Sequence, residues 1–410
     1  MRPQWRRMLQ ISEPVLTRPF WLMVTLAALG LVLCTVREFV GLHAVTALND
    51  GYSWGLFKNF NVTTLTALGS GGYAMALLTY VCNQGRFHSL MRTALLTSIL
   101  SYTVGMLALA VDIGRPWNLF FMVDPWTWNP HSILWEVAFC MTAYVMIALD
   151  FENLAPLLEG LEDENMPKLV RDLAGYAKRF VKTAYPYGVA LALALPTMHQ
   201  SSLGSLMLLG GTRVHPLWQT HLLPLFYVVM AFILGIAFVE LVLMASCAVW
   251  RRPVDNRLLA SLSNIVSWTT AVWLAIRFGD IAMRGQLGAV LRFDFYGILF
   301  LSETALIAVP AMVLRSESRR LDPSRAFPWL CVLTIGGMLY RYTPTTIAFR
   351  PGEGYHYFPS VPELLISTGF IALAMMGYLF TVKRFAILPA TLEMSVQAAV
   401  TKSIKKEKAA

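Results

Sequence analysis

The chain has 410 residues, of which 56% are hydrophobic and only 14% are charged, and its net charge is +9. A soluble domain usually carries about 25% charged residues, so this composition excludes an ordinary water-soluble protein. The positive charge does not indicate nucleic-acid binding, because membrane topology explains its distribution along the chain.

Long apolar segments follow one another along most of the chain. A run of roughly 20 apolar residues crosses the hydrocarbon core of a bilayer as a helix. The fifth segment is short and ends at Pro196. The sequence therefore predicts an all-α, polytopic membrane protein with about ten transmembrane helices. These predicted spans are residues 20–40, 56–82, 92–112, 131–151, 184–198, 221–249, 258–278, 294–314, 327–347 and 361–382.

Lysine and arginine concentrate on one side of the predicted spans. Of the 33 such residues, 24 fall in the N-terminus, the C-terminal tail and the loops near 86–92, 152–183, 251–257 and 315–325. Only six fall on the opposite side, which we call the outer side. Because positive residues favour the cytoplasm, both termini are expected there.

Two parts of the chain resemble each other. "DIGRPWN" (112–118) ends the third span and "RFGDIAM" (277–283) ends the seventh, so each part carries an Arg and an Asp around a Gly. Each is followed by a span with an embedded glutamate, Glu136 in one and Glu303 in the other, 167 positions apart. Spans two to five and six to nine are thus predicted to form two four-helix bundles, with one flanking helix at each end.

The predicted domain organisation follows from this grouping. Two cytoplasmic ends enclose four membrane parts, and the first bundle includes the long cytoplasmic loop 152–183. The predicted boundaries are 1–19 for the N-terminus, 20–55 for the first helix and its periplasmic loop, 56–220 for the first bundle, 221–360 for the second bundle, 361–384 for the last helix and 385–410 for the tail.

Metal and haem ligands are scarce in the sequence. The five cysteines lie one per span and never form the clusters that iron–sulfur centres require. The seven histidines fall in loops or at predicted outer helix ends, whereas a membrane b-type haem usually takes two histidines at matching depth. We therefore expect no haem, no iron–sulfur cluster and no metal in this chain.

Polar residues cluster at the outer ends of the first predicted bundle. Most of the aromatic and basic members also have structural interpretations: Trp117 and Trp218 as anchors in the membrane interface, and Arg115 as an ion-pair partner of Asp112. Glu240 and Glu363, near span ends, are expected to be structural. The candidate site residues are Lys58, Asn59, Asp112, Arg115, Trp117, Asn118, His131, Glu136, His199, Gln200 and Glu303.

Glu136 is the strongest of these candidates. Pro130 suits the first turn of a helix, which puts Glu136 about 9 Å further along the axis. An ionisable residue inside a membrane is a functional candidate by default. Proton transfer is the chemistry most open to a desolvated carboxylate, and a carboxylate beside an apolar channel suits quinone oxidation or reduction.

Four stretches carry a resemblance to a known family: "DIGRPWN", "NPHSILWEVAFCMTAY", "LALPTMHQSSLGSLMLLGGTRVHPLWQTHLLPLF" and "RPGEGYHYFPSVPELLISTGF". Together they resemble the NrfD/PsrC superfamily, and within it the HybB-type integral membrane subunit of respiratory NiFe hydrogenases. The resemblance extends from roughly residue 15 to residue 390.

This resemblance implies a ten-helix, haem-free subunit of a bacterial cytoplasmic membrane. Such a subunit exchanges electrons between quinone (menaquinone or ubiquinone) and a periplasmic ferredoxin-like iron–sulfur subunit. That subunit lies next to the small and large catalytic subunits of the hydrogenase, so the chain is not expected to be an enzyme alone. Glu136 matches the intramembrane glutamate that the family uses for proton transfer. Asp112 and Arg115 match its Asp-x-Gly-Arg motif near the quinone pocket.

Three alternatives stay open at this point. The attached enzyme could handle sulfur compounds or take electrons from multihaem cytochromes. The chain could instead be a secondary transporter, which also shows repeats and charges at the midplane. It could also be a passive anchor for a periplasmic enzyme, with its polar groups purely structural.

Overall fold

The protein is described in a computed structural model. The described residues are 11, 13–115, 117–118, 133–151, 158, 161, 167–253, 255–385 and 387–388. Within them the chain is almost entirely helical, and the only β-type pairing is an isolated bridge between Val214 and Phe349.

Helical segments coincide with all ten predicted spans. Short helical turns lie between some of them, at Leu42–Ala44, Gly85–Leu90, Gly211–Arg213, Leu287–Val290 and Glu317–Arg320. The spans are α1 (Arg18–Val40), α2 (residues 57–81), α3 (Met91–Asp112), α4 (Ile133–Phe151), α5 (Lys168–Leu208), α6 (Leu223–Val249), α7 (Asn256–Met283), α8 (Phe295–Val313), α9 (Pro323–Tyr342, continued by Thr343–Ile347) and α10 (Val361–Arg384).

The all-α, polytopic class is confirmed. Among the described residues, six of these helices are long and apolar enough to cross a membrane by length and composition: α1, α3 with the turn before it, α6, α7, α8 and α10. The other four are interrupted, extended by polar turns, or only partly described. The odd-numbered helices end, and the even-numbered helices begin, at the end of the assembly that the charge distribution predicts to be the outer one.

Helix α5 is much longer than the sequence predicted. The predicted span 184–198 ends near Pro196, yet the helix has 41 residues and contains both Pro186 and Pro196. Packed neighbours satisfy the backbone groups that a proline frees, so proline is tolerated inside membrane helices. As a result His199 and Gln200, expected at an outer helix end, lie inside α5 and are fully buried.

Helix α2 is irregular along its length. It begins with a nine-residue π-helical segment, Phe57–Leu65, continues as Thr66–Leu68, and resumes as Gly71–Ala76 after a turn at Gly69 and Ser70. A π-helical segment shifts the register of backbone hydrogen bonds, and such segments are frequent at functional sites. Two further π-helical segments follow: Leu77–Val81 ends α2, and Thr343–Ile347 continues α9.

Helix packing places the two halves of the chain side by side. Helices α2 to α5 contact one another, and helices α6 to α9 do the same. The flanking helices α1 and α10 form a pair of their own, in which a Cβ at Gly30 would lie 3.1 Å from Gly369 Cα. The domain boundaries themselves stay a prediction.

Glycine residues allow α6 of the second bundle to pack directly against α2 of the first bundle. A Cβ on Gly235 of α6 would lie 2.5 Å from the backbone nitrogen of Gly71 in α2 and 2.5 Å from the carbonyl carbon of Ser70. Both of these atoms belong to the backbone, so a side chain cannot be accommodated without moving one helix. Small residues commonly allow such close helix approach in bilayers.

We predict that Gly235→Ala destabilises the folded chain by roughly 1–3 kcal/mol, the usual cost of overpacking a core. The measurement is unfolding of the purified chain by sodium dodecyl sulfate in mixed micelles. Gly279→Ala is the control, because a Cβ there meets nothing within 4 Å. Equal unfolding midpoints for the two variants would show that the contact is not tight.

Candidate functional site

Arg341, at the outer end of α9, lies buried between the two bundles. Its Nε donates to the carbonyl oxygen of Thr63 at 2.7 Å, and its Nη1 donates to the carbonyl oxygen of Tyr227 at 2.9 Å. Its Nη2 donates to Gln200 Oε1 at 2.5 Å, and the guanidinium lies 4.3 Å from the centre of the Tyr227 ring. The charge is thus satisfied by neutral acceptors from α2, α5 and α6.

A network of neutral polar side chains continues from Arg341 into the first bundle. Gln200 Nε2 donates to Thr66 Oγ1 at 3.2 Å and to the Tyr102 hydroxyl at 3.3 Å. His199 Nδ1 donates to the carbonyl oxygen of Val137 at 2.9 Å, and its Nε2 lies 3.3 Å from Thr66 Oγ1. We call these five residues the polar centre: Thr66, Tyr102, His199, Gln200 and Arg341.

The polar centre contacts α4 through Val137, the residue after Glu136. Val137, which accepts from His199, is adjacent to Glu136 in sequence. The Glu136 side chain is half-buried and has no hydrogen-bond or ion-pair partner among the described residues. Its neighbour Trp135 stacks on Phe139 at 4.6 Å on the outward face of the helix. The structure therefore leaves Glu136 unpaired at the edge of the polar centre, and its role stays a prediction.

Asp112 forms an ion pair that the sequence analysis did not anticipate. Its Oδ2 lies 2.6 Å from Lys58 Nζ, and the Asp112 side chain is only 1% exposed. Of the two interpretations of Arg115, the ion pair with Asp112 does not form, because Asp112 pairs with Lys58 and the Arg115 side chain is exposed beyond the end of α3. The Asp112 Oδ1 has no hydrogen-bond partner among the described residues.

Several predicted site residues do not join this cluster. Trp117 is 67% exposed and Asn118 is also exposed, as expected for residues at a membrane surface. His131 lies outside the described residues. Glu303 lies in the second bundle, away from Glu136.

A cavity of about 350 Å³ opens at the outer end, between the start of α2 and the ends of α5 and α9. Asn59 forms part of its support, donating from Nδ2 to the Trp54 carbonyl oxygen at 2.9 Å and to Thr346 Oγ1 at 2.8 Å. The lining is mostly apolar and aromatic with a few polar groups: Tyr52, Ser53, Trp54, Leu206, Met207, Leu209, Gly210, Arg213, Val214, Pro344, Thr345 and Phe349.

Aromatic and basic residues surround this cavity at the outer surface. The Tyr52 hydroxyl donates to the carbonyl oxygen of Phe349 at 3.1 Å, and burial raises the pKa of Tyr52. The His215 ring stacks on Tyr296 at 4.4 Å, and the Arg350 guanidinium lies 4.3 Å from the same ring. Burial, and then the charge of Arg350, lower the pKa of His215, so its neutral form is favoured.

The second bundle holds its own buried carboxylates. Glu303 Oε1 pairs with Arg277 at 2.7 Å, and Glu303 Oε2 accepts from Trp218 Nε1 at 3.2 Å. The expectation that Trp218 is an interface anchor is wrong, since it is only 2% exposed. Glu240 was expected near a span end, within reach of solvent or a neighbouring base, but solvent does not reach it. It is fully buried and accepts from the Ser263 hydroxyl at 2.5 Å.

Sequence reasoning missed Arg341, Thr66 and Tyr102. A signal for Arg341 was present, because an arginine within the apolar segment 327–347 is costly unless it is paired inside the protein. Thr66 and Tyr102 carry no such signal, since threonine and tyrosine are ordinary residues in membrane helices.

Comparisons with known proteins agree with the motifs. The family described as "Polysulphide reductase, NrfD" matches residues 44–344. The "Probable Ni/Fe-hydrogenase 2 b-type cytochrome subunit" of Escherichia coli K12 is 36% identical over 385 residues, covering 92% of this chain and 94% of that protein.

Two further relatives are more distant. The "Menaquinone reductase, integral membrane subunit" of Nitratidesulfovibrio vulgaris is 26% identical over 382 residues, covering 86% of this chain and 87% of that protein. A selenate reductase subunit of Mesobacillus selenatarsenatis is 24% identical over 239 residues, covering 53% of this chain and 54% of that protein. The matches confirm the resemblance drawn from the sequence motifs.

The expectation that this chain holds no haem is contradicted by these comparisons, because the Escherichia coli relative is named a b-type cytochrome subunit. The described residues do not fit a haem held by two histidines. His199 is the only described histidine that is fully buried, and both of its ring nitrogens face protein partners, Val137 and Thr66. The other described histidines lie in loops or short turns: His43, His88, His215, His221 and His356.

We predict that Arg341→Met strongly destabilises the chain. It removes the donor of the buried Gln200 Oε1 and one hydrogen bond to each of two buried carbonyl oxygens, and an unsatisfied buried group costs about 1–3 kcal/mol. Arg319→Met is the control, because Arg319 is exposed and a change there is expected to stay within about 0.5 kcal/mol. Unfolding by sodium dodecyl sulfate measures both. Equal unfolding midpoints for the two variants would show that the Arg341 hydrogen bonds do not stabilise the fold.

Proposed function

The chain belongs to the NrfD family, and from that premise we propose that it is the quinone-reactive membrane subunit of a respiratory oxidoreductase complex. The complex is of the NiFe-hydrogenase type. The subunit exchanges electrons between menaquinone or ubiquinone and a periplasmic iron–sulfur subunit, with coupled proton transfer. The observation that carries this proposal is the outer cavity with its aromatic and polar lining, in a chain that also holds a buried polar network around Arg341.

The cavity has the properties that a quinone head group requires. Its volume of about 350 Å³ falls within the range of small-molecule sites, which are mostly apolar with a few placed polar groups. Ser53, Arg213 and Thr345 line it and carry hydrogen-bond donors for carbonyl oxygens. Trp54 and Phe349 offer flat apolar surfaces, and an isoprenoid tail would follow the lipid-facing side of the helices.

Proton transfer is assigned to three membrane carboxylates, Asp112, Glu136 and Glu303. Quinol oxidation releases two protons together with two electrons, so a proton acceptor must lie close to the ring. Asp112, paired with Lys58, stands at the outer end of the first bundle and has one unpartnered oxygen. Glu136 lies deeper in the bundle than Asp112. It is adjacent in sequence to Val137, whose carbonyl oxygen accepts a hydrogen bond from His199. Glu303 would transfer protons in the second bundle.

The polar centre has a positioning role in this proposal. Thr66 Oγ1 also donates to the carbonyl oxygen of Val62 at 2.5 Å, so its single proton has two competing acceptors, Val62 and His199. Arg341 orients Gln200, and Gln200 orients Thr66. The network therefore holds the His199 ring, and through it the start of α4, in one arrangement.

Partner and location follow from the same family membership. The Escherichia coli and Nitratidesulfovibrio relatives are named as subunits of a hydrogenase and of a menaquinone reductase. We assign the chain to the bacterial cytoplasmic membrane with both termini in the cytoplasm, so that the cavity faces the periplasm. The iron–sulfur subunit and the small and large hydrogenase subunits would then dock over the cavity.

A second candidate is membership of another quinone-linked complex. The relative named as a selenate reductase subunit supports it, because a similar chain is there named as part of a different reductase. The membrane site would be unchanged in that case, and only the attached enzyme would differ.

We predict that Glu136→Gln lowers quinone-linked turnover of the intact complex by about 100-fold or more, the usual size of a general acid–base contribution. Hydrogen-dependent reduction of a soluble quinone measures it in membranes. Glu353→Gln, in an exposed outer loop, is the control and should keep full turnover. Assembly, followed by copurification of the partner subunits, should be normal in both variants.

Unchanged turnover in Glu136→Gln would instead indicate a passive anchor. Transport of a solute by the purified chain alone would overturn the electron-transfer proposal altogether.

We also predict that the tagged chain copurifies from mild detergent with an iron–sulfur protein. The expected result is iron and acid-labile sulfide in a fixed ratio to the chain, together with hydrogen-oxidising activity. Iron and sulfide without that activity would support the second candidate complex. Absence of any iron–sulfur partner would contradict both.

A further inference from the structure

A second cavity, of about 500 Å³, lies between the flanking pair of helices and the two bundles. Helices α1, α2, α3, α6 and α10 all contribute to its walls, and we call it the inner cleft. Helix α10 packs closely on α3, where a Cβ at Gly377 would lie 3.0 Å from Leu100 Cδ2. A hydrogen bond of 2.7 Å between the Ser246 and Tyr378 hydroxyl groups joins α10 to α6. The walls are therefore held in place from both sides, and the cleft is a fixed part of the fold.

The inner cleft lies in the half of the membrane that the charge distribution predicts to be cytoplasmic. On α6 it begins at Ser246, about 5 Å before the helix end at 1.5 Å per residue. On α3, which starts at the same face, it extends from Thr97 to Val104, roughly 9 to 20 Å from the helix start. The cleft is thus about 15 Å deep, which is half of a hydrocarbon core of about 30 Å.

The lining of the inner cleft is almost entirely hydrocarbon. Leucine, isoleucine, valine, methionine, alanine and phenylalanine side chains form most of it, and no acidic or basic side chain of the described residues lines it. The Thr97 hydroxyl is already bonded to the Ala94 carbonyl oxygen at 2.8 Å, and the Ser246 and Tyr378 hydroxyl groups bond each other. Such a surface offers contacts to methylene groups and few partners for polar ones, so it suits a hydrocarbon chain.

Two arginines follow the end of α6, next to the cytoplasmic end of the cleft. The chain turns back through Arg251, whose φ is +49°, and the Arg252 amide donates to the Cys247 carbonyl oxygen at 2.9 Å. This return holds Arg252 beside the residue that follows Ser246. The Arg252 guanidinium lies within electrostatic reach of Cys247, and Cys247 lies within reach of the Tyr378 hydroxyl. The positive charge is therefore at the same end of the cleft as the hydrogen bond that joins α6 to α10.

The Arg252 guanidinium is short of hydrogen-bond acceptors. Its Nη1 is enclosed and has no partner among the described residues, and a donor left in that state is costly. Lys383, at the same end of α10, differs, because its Nζ donates to the Pro14 carbonyl oxygen at 2.7 Å and lies 3.7 Å from Glu13. A basic group between transmembrane helices on the cytoplasmic side is typical of a site for an anionic lipid head group. The missing acceptor is thus expected to be a lipid phosphate.

We propose that the inner cleft binds one anionic phospholipid of the cytoplasmic leaflet, with an acyl chain in the cleft and the phosphate group on Arg252. The depth of the cleft matches an acyl chain in one leaflet, the apolar lining matches its methylene groups, and the guanidinium matches the head group. The bound lipid fills the space between the flanking pair and the bundles. This site goes beyond the proposed function and does not depend on which enzyme the subunit serves.

Native mass spectrometry of the purified full chain in detergent tests this proposal. Phosphatidylglycerol is the anionic probe and phosphatidylcholine is the neutral one. We expect one phosphatidylglycerol to be retained per chain, with about fivefold tighter binding than phosphatidylcholine, the usual contribution of one basic residue at a membrane surface. Weak, stepwise addition of both lipids without a tight first step would contradict a specific site.

A change in the wall of the cleft tests the position of the acyl chain. Ala245, on α6, lines the cleft, and Ala245→Phe places a phenyl ring where the acyl chain is expected. Binding of both lipids should weaken about tenfold or more, because the ring takes the space of several methylene groups. Ala275→Phe on α7 is the matched control, since Ala275 is also exposed on a membrane helix but does not line the cleft. It should bind lipid as the unchanged chain does.

A change at the head group tests the arginine separately. Arg252→Gln should remove the preference for phosphatidylglycerol and leave phosphatidylcholine binding unchanged. Arg319→Gln, at an exposed arginine of the same predicted face, is the control and should keep the preference. Equal binding in either variant and its control would overturn the proposal. Unfolding in sodium dodecyl sulfate checks that the variants fold, and each of the two variants tests the site without the other.

Lipid extracted from the chain purified from its native membrane identifies the occupant. One phospholipid per chain, lost in Ala245→Phe, is the expected result. An isoprenoid quinone retained by the unchanged chain and lost in the same variant would show that the cleft holds a quinone tail, and it would overturn the proposal.

Discussion

The fold depends on one buried cation. The Arg341 guanidinium has no acidic partner among the described residues, and it is held by two backbone carbonyl groups and one side-chain amide. A charge in an apolar interior is tolerated only when its donors are satisfied. The helices that supply these acceptors, α2, α5 and α6, are therefore fixed relative to α9, and the two bundles become one body.

Two irregular helical segments lie close to Arg341 and to the contact between the two bundles. The Thr63 carbonyl group that receives Arg341 lies in the π-helical start of α2, where the hydrogen-bond register is shifted. Arg341 itself comes just before the π-helical segment that continues α9. Near the same seam, Gly71 and Gly235 let the backbones of α2 and α6 touch. Local departures from ideal helix and close packing thus occur together where the bundles meet.

The features that could be predicted from the sequence are those that depend on the residue pattern of a single segment. Ten spans were recognisable because length and hydropathy are properties of one segment, and Glu136 stood out because a carboxylate interrupts an apolar run. The partners of each polar residue depend on distant helices, so the Lys58 partner of Asp112 and the complete burial of Glu240 were not predicted. The motifs around His199 identified the family, but only the folded chain shows that this ring is buried.

Helix α5 has a geometrical consequence for studying the protein. Its 41 residues give a rod about 60 Å long, whereas the hydrocarbon core is about 30 Å thick. Nearly half of the rod must therefore stand outside the lipid, on the side that carries Lys168 and Arg171. In electron micrographs of nanodiscs this projection marks one of the two faces of the disc. Images can then be oriented without an added antibody fragment.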